Sequence, residues 1–251
     1  MKFESVTVMM PAVNETNSLW QTVKTIEEIC PAGDIGELII MLSKTATTEC
    51  RAVSEKLRDE IKAFPVIVAT QEMPGLGGAI RECMAAAKCS HTMLVACDAP
   101  MDLKCVNAMI FSAKQAPEVI ATTSRWLTRD FEGYGKARLV LNYLAQVFLR
   151  VLYGSNQTDF TNPVQIVPTK LYQSIRWEET RFAILLEMVL KPVRLGCEFR
   201  EIPVECRNRS EGKSSNSFLQ TAEYLKTALR IRFMKKSDIL ISGENDENTL
   251  C

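Results

Sequence analysis

The chain has 251 residues, 47% of them hydrophobic, which is enough for one large domain with a real core. Its 30 Lys and Arg offset its 30 Asp and Glu, so no long-range field points to nucleic acid. Nine cysteines without a Cys-x-x-Cys pair argue against a zinc ribbon or a regular disulfide framework.

Cys83, Cys97 and Cys197 sit among apolar neighbours and read as small core residues, so a reducing, cytoplasmic setting is expected. The first 15 residues lack the apolar stretch and cleavage site of a signal peptide. No window approaches the about 18 uncharged apolar residues of a membrane-spanning helix.

Residues 5–10 form an apolar run that predicts a buried strand ending at Pro11. Residues 16–30 place Leu19, Val23, Ile26 and Ile29 at helical spacing, with Asn17 or Ser18 as the cap. A second strand is expected over 37–42, a charged amphipathic helix over 47–64, and a third strand over 66–69. A glycine-rich turn then leads into a helix over 77–88, and a fourth strand over 91–97 ends in Cys-Asp-Ala-Pro-Met-Asp. Strands that alternate with helices imply crossovers and a mostly parallel α/β sheet flanked by helices.

The second half is less regular. Strands are expected over 119–122, 164–167 and 199–206, and helices over 136–153, 177–195 and 218–236, with Pro192 breaking or kinking the second helix. The apolar faces of the first and third helices are expected to cover the sheet, a membrane surface being their other use. Residues 1–236 read as a single domain, and 237–251, acidic and polar, as a disordered tail.

In an open parallel sheet the ligand sits beyond the carboxyl ends of the strands. Residues 11–15, 43–48 and 98–102 each follow a strand directly. Asp98 and Asp102 suit Mg²⁺ or Mn²⁺, which take one or two carboxylates and complete their shell with phosphate oxygens and water; equally, Asp98 opens a turn and Asp102 caps a helix. Gly75, Gly77 and Gly78 precede a helix, where backbone N–H groups and the helix dipole favour phosphate, or simply form a tight turn. Arg207-Asn-Arg-Ser-Glu-Gly-Lys-Ser-Ser is either a phosphate-binding loop or a solvated basic one. Asp159 is a candidate acceptor-orienting carboxylate or a turn cap. His91 is the only histidine, so Ser-His-Asp, Cys-His and multi-histidine zinc chemistry are disfavoured.

Taken together, these segments resemble family-2 glycosyltransferases, and within them the dolichol- or polyprenyl-phosphate mannose synthase branch, over residues 5–234. The segments concerned are VTVMMPAVNETNSL, PGLGGAIRECMAAA, VACDAPMD, ATTSRW, TDFTNPVQ and RSEGKSS. The resemblance implies a GT-A fold and inverting transfer of a hexose from a nucleoside-diphosphate sugar to a polyprenyl phosphate or a saccharide. It implies that Pro11, Val13, Glu15, Ser43, Gly77 and Gly78 hold the nucleotide. Asp98, with Asp102, would hold Mg²⁺ or Mn²⁺, and Arg125 would lie beside the leaving diphosphate. Asp159 would face the acceptor, as base if the acceptor is a hydroxyl, and Arg209, Lys213 and Ser214 would take an acceptor phosphate. A homodimer and peripheral contact with the inner face of the membrane are compatible with this picture; binding of nucleic acid is not expected.

Several positions depart from the pattern. Met41-Leu42-Ser43-Lys44 stands where the family has its base-contacting Asp, Pro100 replaces the second metal-motif Asp, and Pro163 and Gln165 replace a Gly and an Arg near the acceptor. They leave open a non-catalytic, nucleotide-sugar-binding or assembly protein. A nucleotidyltransferase is a second alternative, against which stands Pro11-Ala-Val-Asn-Glu where a glycine-rich loop would be expected.

Overall fold

The computed structural model describes residues 1–97, 102–129, 131, 135–205 and 218–241. The first half alternates strand and helix: β1 (Val6–Ala12), α1 (Asn17–Ile29), β2 (Ile35–Leu42), α2 (Thr48–Glu60), β3 (Val66–Thr70), α3 (Gly75–Ala86), β4 (His91–Leu94) and α4 (Lys104–Gln115). The second half comprises β5 (Ile120–Ser124), α5 (Arg125–Thr128), α6 (Lys136–Tyr153), β6 (Gln165–Pro168), α7 (Thr169–Ser174), α8 (Ile184–Leu195), β7 (Phe199–Pro203), α9 (Phe218–Phe233) and α10 (Lys236–Ile239). These strands form one seven-stranded sheet in the order β3-β2-β1-β4-β6-β5-β7. Only β6 runs against its neighbours β4 and β5.

Alternation within the central strands divides the core in two. Val8, Met10, Leu38 and Ile40 face α1, α2 and α4, while Met9, Ile39 and Met41 face α3 and α8. A strand buried on both faces must be apolar at every position, and that is why β1 and β2 read as continuous runs. Each such side chain contributes about 1.5–3 kcal/mol by leaving water. A third, smaller core gathers Leu149 of α6, Leu186 and Leu190 of α8, and Ala228 and Ile231 of α9 around Phe160.

Several local features differ from what the sequence predicts. Helix α2 stops at Glu60, since Phe64 precedes Pro65 and is held out of helical backbone. Residues 177–183 are not helical: the Glu178 and Glu179 N–H groups donate to the Glu187 carboxylate instead of to helix carbonyls. Helix α8 runs through Pro192, placed in its last turns, to a left-handed cap at Gly196.

The tail begins later than residue 237. Ser237 and Asp238 lie in α10, Ile239 and Leu240 are buried, and Leu240 bridges to Ile175. Cys83 and Cys97 are buried thiols as expected, but Cys197 is disulfide-bonded, and its partner is not among the described cysteines. That bond runs against the expectation of nine reduced cysteines. His91 is fully buried, with Nδ1 beside Ser90 Oγ and Nε2 donating to the Pro117 carbonyl at 2.8 Å, a structural role.

Candidate active site

The carboxyl ends of β1, β2 and β3 are tied together by backbone bonds. Ser43 N donates to Ala12 O, Thr47 N to Val13 O and Gln71 N to Leu42 O, each at 2.9 Å. Arg51 of α2 reaches back to the Ser43 and Ala46 carbonyls and stiffens the same loops. Above these ends lies a cavity of about 780 Å³.

Four residues expected to bind nucleotide line this cavity: Pro11, Val13, Glu15 and Ser43. Glu15 folds back, and its Oε2 accepts the Val13 and Asn14 N–H groups at 2.7 and 3.0 Å. It therefore shapes the turn after β1 and is the only charged side chain among the described lining residues. The Ser43 and Thr45 hydroxyls are 3.0 Å apart on the β2 side. Cys97, just before Asp98, lines the floor, its thiol 3.2 Å from Pro11 O.

Gly77 and Gly78 do not line the cavity; their neighbours Gly75, Leu76 and Ala79 do. Gly77 N donates to Thr180 O at 2.9 Å, and a Cβ on Gly77 would collide with the Glu179 carbonyl. A Cβ on Gly78 would come within 2.6 Å of Met73 O. The geometry gives these two glycines a packing task, letting residues 178–180 lie directly on the start of α3.

That segment is held by charge. Lys191 and Glu187, both fully buried, pair at 2.7 Å, and Lys191 also donates to Arg176 O. Arg230 of α9 pairs with Glu178, and with Glu179 at 2.8 Å. Burial alone would raise the Glu178 carboxyl, but Lys191 and Arg230 hold it below its ordinary range. The network fixes the turn that delivers Phe182 and Leu185 to the cavity wall, opposite Pro163 and Val164.

Arg125 and Asp159 meet each other. The guanidinium grips the carboxylate with Nε–Oδ2 at 2.7 Å and Nη2–Oδ1 at 2.8 Å, and also donates to Thr161 Oγ1. Asp159 is 1% exposed. Burial would raise its carboxyl, yet Arg125 and the bonds from Arg125 and Thr161 hold it below the usual carboxylate range. Glu201 of β7 accepts the Thr158 and Asp159 N–H groups and secures the loop from behind. The pair is absent from the described cavity lining.

Asp102 Oδ1 accepts Lys104 N at 3.1 Å, a capping contact at the start of α4. Gln165, where the family pattern has Arg, is fully buried and donates to Tyr172 Oη and Met188 O. Asp98, Arg209, Lys213 and Ser214 lie outside the described residues. Among the described residues no group of three His, Cys, Asp or Glu is placed to hold a metal ion.

The architecture matches solved structures over most of its length. Glucosyl-3-phosphoglycerate synthase from Mycobacterium tuberculosis, in complex with Mn²⁺, UDP and phosphoglyceric acid, superposes with a TM-score of 0.70. The match covers 93% of this chain and 80% of that one at 16% identity. The chain has the GT-A fold. A complex of the same enzyme with Mg²⁺ and UDP gives a TM-score of 0.69 at 16% identity, over 93% of this chain and 81% of that one. A further mycobacterial protein gives 0.70 at 16% identity, over 93% and 76%. No family model and no curated protein matches the sequence. These neighbours do not support the dolichol-phosphate mannose synthase branch of the GT-A enzymes.

Sequence reasoning missed Thr45, Gln71, Phe182 and Leu185 in the cavity wall. Gln71 directly follows β3, so the strand-end rule could have found it. Phe182 and Leu185 carry no such signal, because their turn is set by Glu187.

Proposed function

We propose that this protein is a hexosyltransferase that takes its sugar from a nucleoside diphosphate held in the cavity over β1 and β2. The observation that carries the reading is the cavity itself. It lies at the carboxyl ends of the strands of a GT-A sheet and is walled by the turn after β1. The neighbours solved with UDP make UDP the first donor base to test.

Pro11, Val13, Glu15 and Ser43 hold the base and ribose in this reading, with Thr45 and Gln71 beside them. Asp98 is the residue for Mg²⁺ or Mn²⁺. Its neighbour Cys97 lines the cavity, and an ion shared with a diphosphate requires only one or two carboxylates. When bound, the ion supplies neutralising charge for the leaving diphosphate. Asp102, engaged as a cap, contributes less than the resemblance implies.

Asp159 is assigned to orienting Arg125, not to removing a proton. A carboxylate held below its ordinary range by a bidentate arginine is a weak base. Among the described lining residues Glu15 alone is titratable with an acid–base function near neutrality, and it is committed to the turn. An acceptor that is already an anion, such as a polyprenyl phosphate, needs no base and fits this site better than a saccharide hydroxyl. Arg209, Lys213 and Ser214 are the residues proposed to receive it.

The test is transfer from UDP-glucose and GDP-mannose to a polyprenyl phosphate, a saccharide and phosphoglycerate, with and without Mn²⁺. Turnover requiring Mn²⁺ and reduced about a hundredfold or more in Asp98→Asn is expected. Undiminished turnover in that variant would remove Asp98 from the mechanism. Metal-dependent binding of a nucleoside diphosphate, seen as a raised melting point without transfer to any acceptor, would instead favour a non-catalytic binding protein.

A further inference from the structure

Helix α6 presents its polar side to the protein and its apolar side to solvent. A covering helix normally buries its apolar stripe. The inward side of α6 carries Gln146, 1% exposed, which accepts Phe160 N and donates to Thr161 Oγ1 and Asn142. Leu149 reaches the small core near the C-terminal end. The outward side carries Val140, Leu141, Leu144, Phe148 and Val151, which are 42–79% exposed. At about 100° per residue these positions fall within a band roughly 100° wide. Single exposed apolar residues are ordinary, but a continuous row marks a binding surface.

Charge decides between the possible occupants. From Lys136 to Thr158 the chain contains Lys136, Arg138 and Arg150 and no acidic residue. Lys136 and Arg150 are exposed. Helix α9, joined to α6 through Arg232 Nε–Leu152 O and Tyr153 Oη–Ala228 O, has its own exposed Leu225, Leu229 and Phe233 beside exposed Lys226. Lys235 and Lys236 follow, also exposed. In a two-fold contact between copies each such patch would meet itself, setting like charges together. An anionic lipid surface offers an apolar layer for the row and opposite charge for its flanks.

We propose that α6 docks this protein on an anionic membrane surface, the row from Val140 to Val151 entering the boundary between headgroups and acyl chains. No described helix is long and apolar enough to cross a membrane, so the contact is peripheral. The proposal does not depend on the transferase reading.

The test sediments the full chain with vesicles of phosphatidylcholine containing about a third phosphatidylserine, and with phosphatidylcholine alone. Binding to the anionic vesicles only is expected, weakening with salt. Binding should fall about tenfold or more in Leu141→Glu/Leu144→Glu/Phe148→Glu. Leu144→Gln alone, a milder change, should give a smaller loss at an unchanged melting point. Phe111→Glu on α4, at an apolar position 65% exposed elsewhere, should bind as the parent does. Absence of binding to anionic vesicles, equal binding to both kinds, or a loss in Phe111→Glu matching the triple variant would each overturn the proposal. A dimer by light scattering that the triple variant splits would also overturn it and assign the face to self-association.

Discussion

From β1 to β4 the molecule is held by apolar packing, with fully buried Val8, Met9, Met10, Leu38 and Ile40 layered between helices. From β5 onward, buried charge takes a large share: Arg125 with Asp159, Lys191 with Glu187, and Arg230 with Glu178 and Glu179. An apolar strand can pack on any apolar layer, so its role is written in a few adjacent residues. A buried ion requires one particular partner, often far along the chain, and loses far more when that partner goes.

The largest test of this contrast is Glu187→Ala, which strands Lys191 in the interior. It should cost about 3–5 kcal/mol in urea unfolding, and Glu187→Leu/Lys191→Met should recover most of that. Leu38→Ala in the first half should cost a similar amount, about 2–5 kcal/mol, with no single compensating partner. A loss below about 1 kcal/mol in Glu187→Ala would remove the distinction.

Gly77→Ala tests where the two halves meet. Crowding the Glu179 carbonyl should cost about 1–3 kcal/mol of stability. Loss of nucleotide affinity at unchanged stability would return Gly77 to phosphate binding.

Thr47 caps α2 through Cys50 N, so Thr47→Ala should cost about 1 kcal/mol, a local effect confined to the first half. The smallest effect expected is on pH dependence. Burial lowers the His91 pKa below 6.5, although the Pro117 bond opposes it. Its contribution is complete above about 6.5 and is lost as pH falls from there through the folded value. His91→Gln should flatten the stability profile in that window. Asp159, held low, contributes above about 3.9, and that contribution disappears only at more acid pH as its depressed folded value is passed.

The same contrast explains how much could be read in advance. The four parallel strands and their helices were legible because period and burial are local properties. So were Pro11, Val13, Glu15 and Ser43, which follow strands directly. Residues 177–183 were misread as helix because Trp177, Phe182 and Leu185 fall at helical spacing, while the competing acceptor, Glu187, is invisible to any periodicity argument. The Arg125–Asp159 pair spans 34 residues, and each partner alone suggested a different role. The glycines before α3 look alike whether they admit a phosphate or a carbonyl; only the position of Thr180 decides.

The Thr180–Gly77 bond also has a consequence for synthesis. The cavity floor and the start of α3 leave the ribosome first, while the turn bearing Thr180, Phe182 and Leu185 emerges about a hundred residues later. Arg230, which anchors that turn, follows later still. A nascent chain can thus assemble its parallel strands and remain unable to close around a ligand until almost the whole polypeptide has been made.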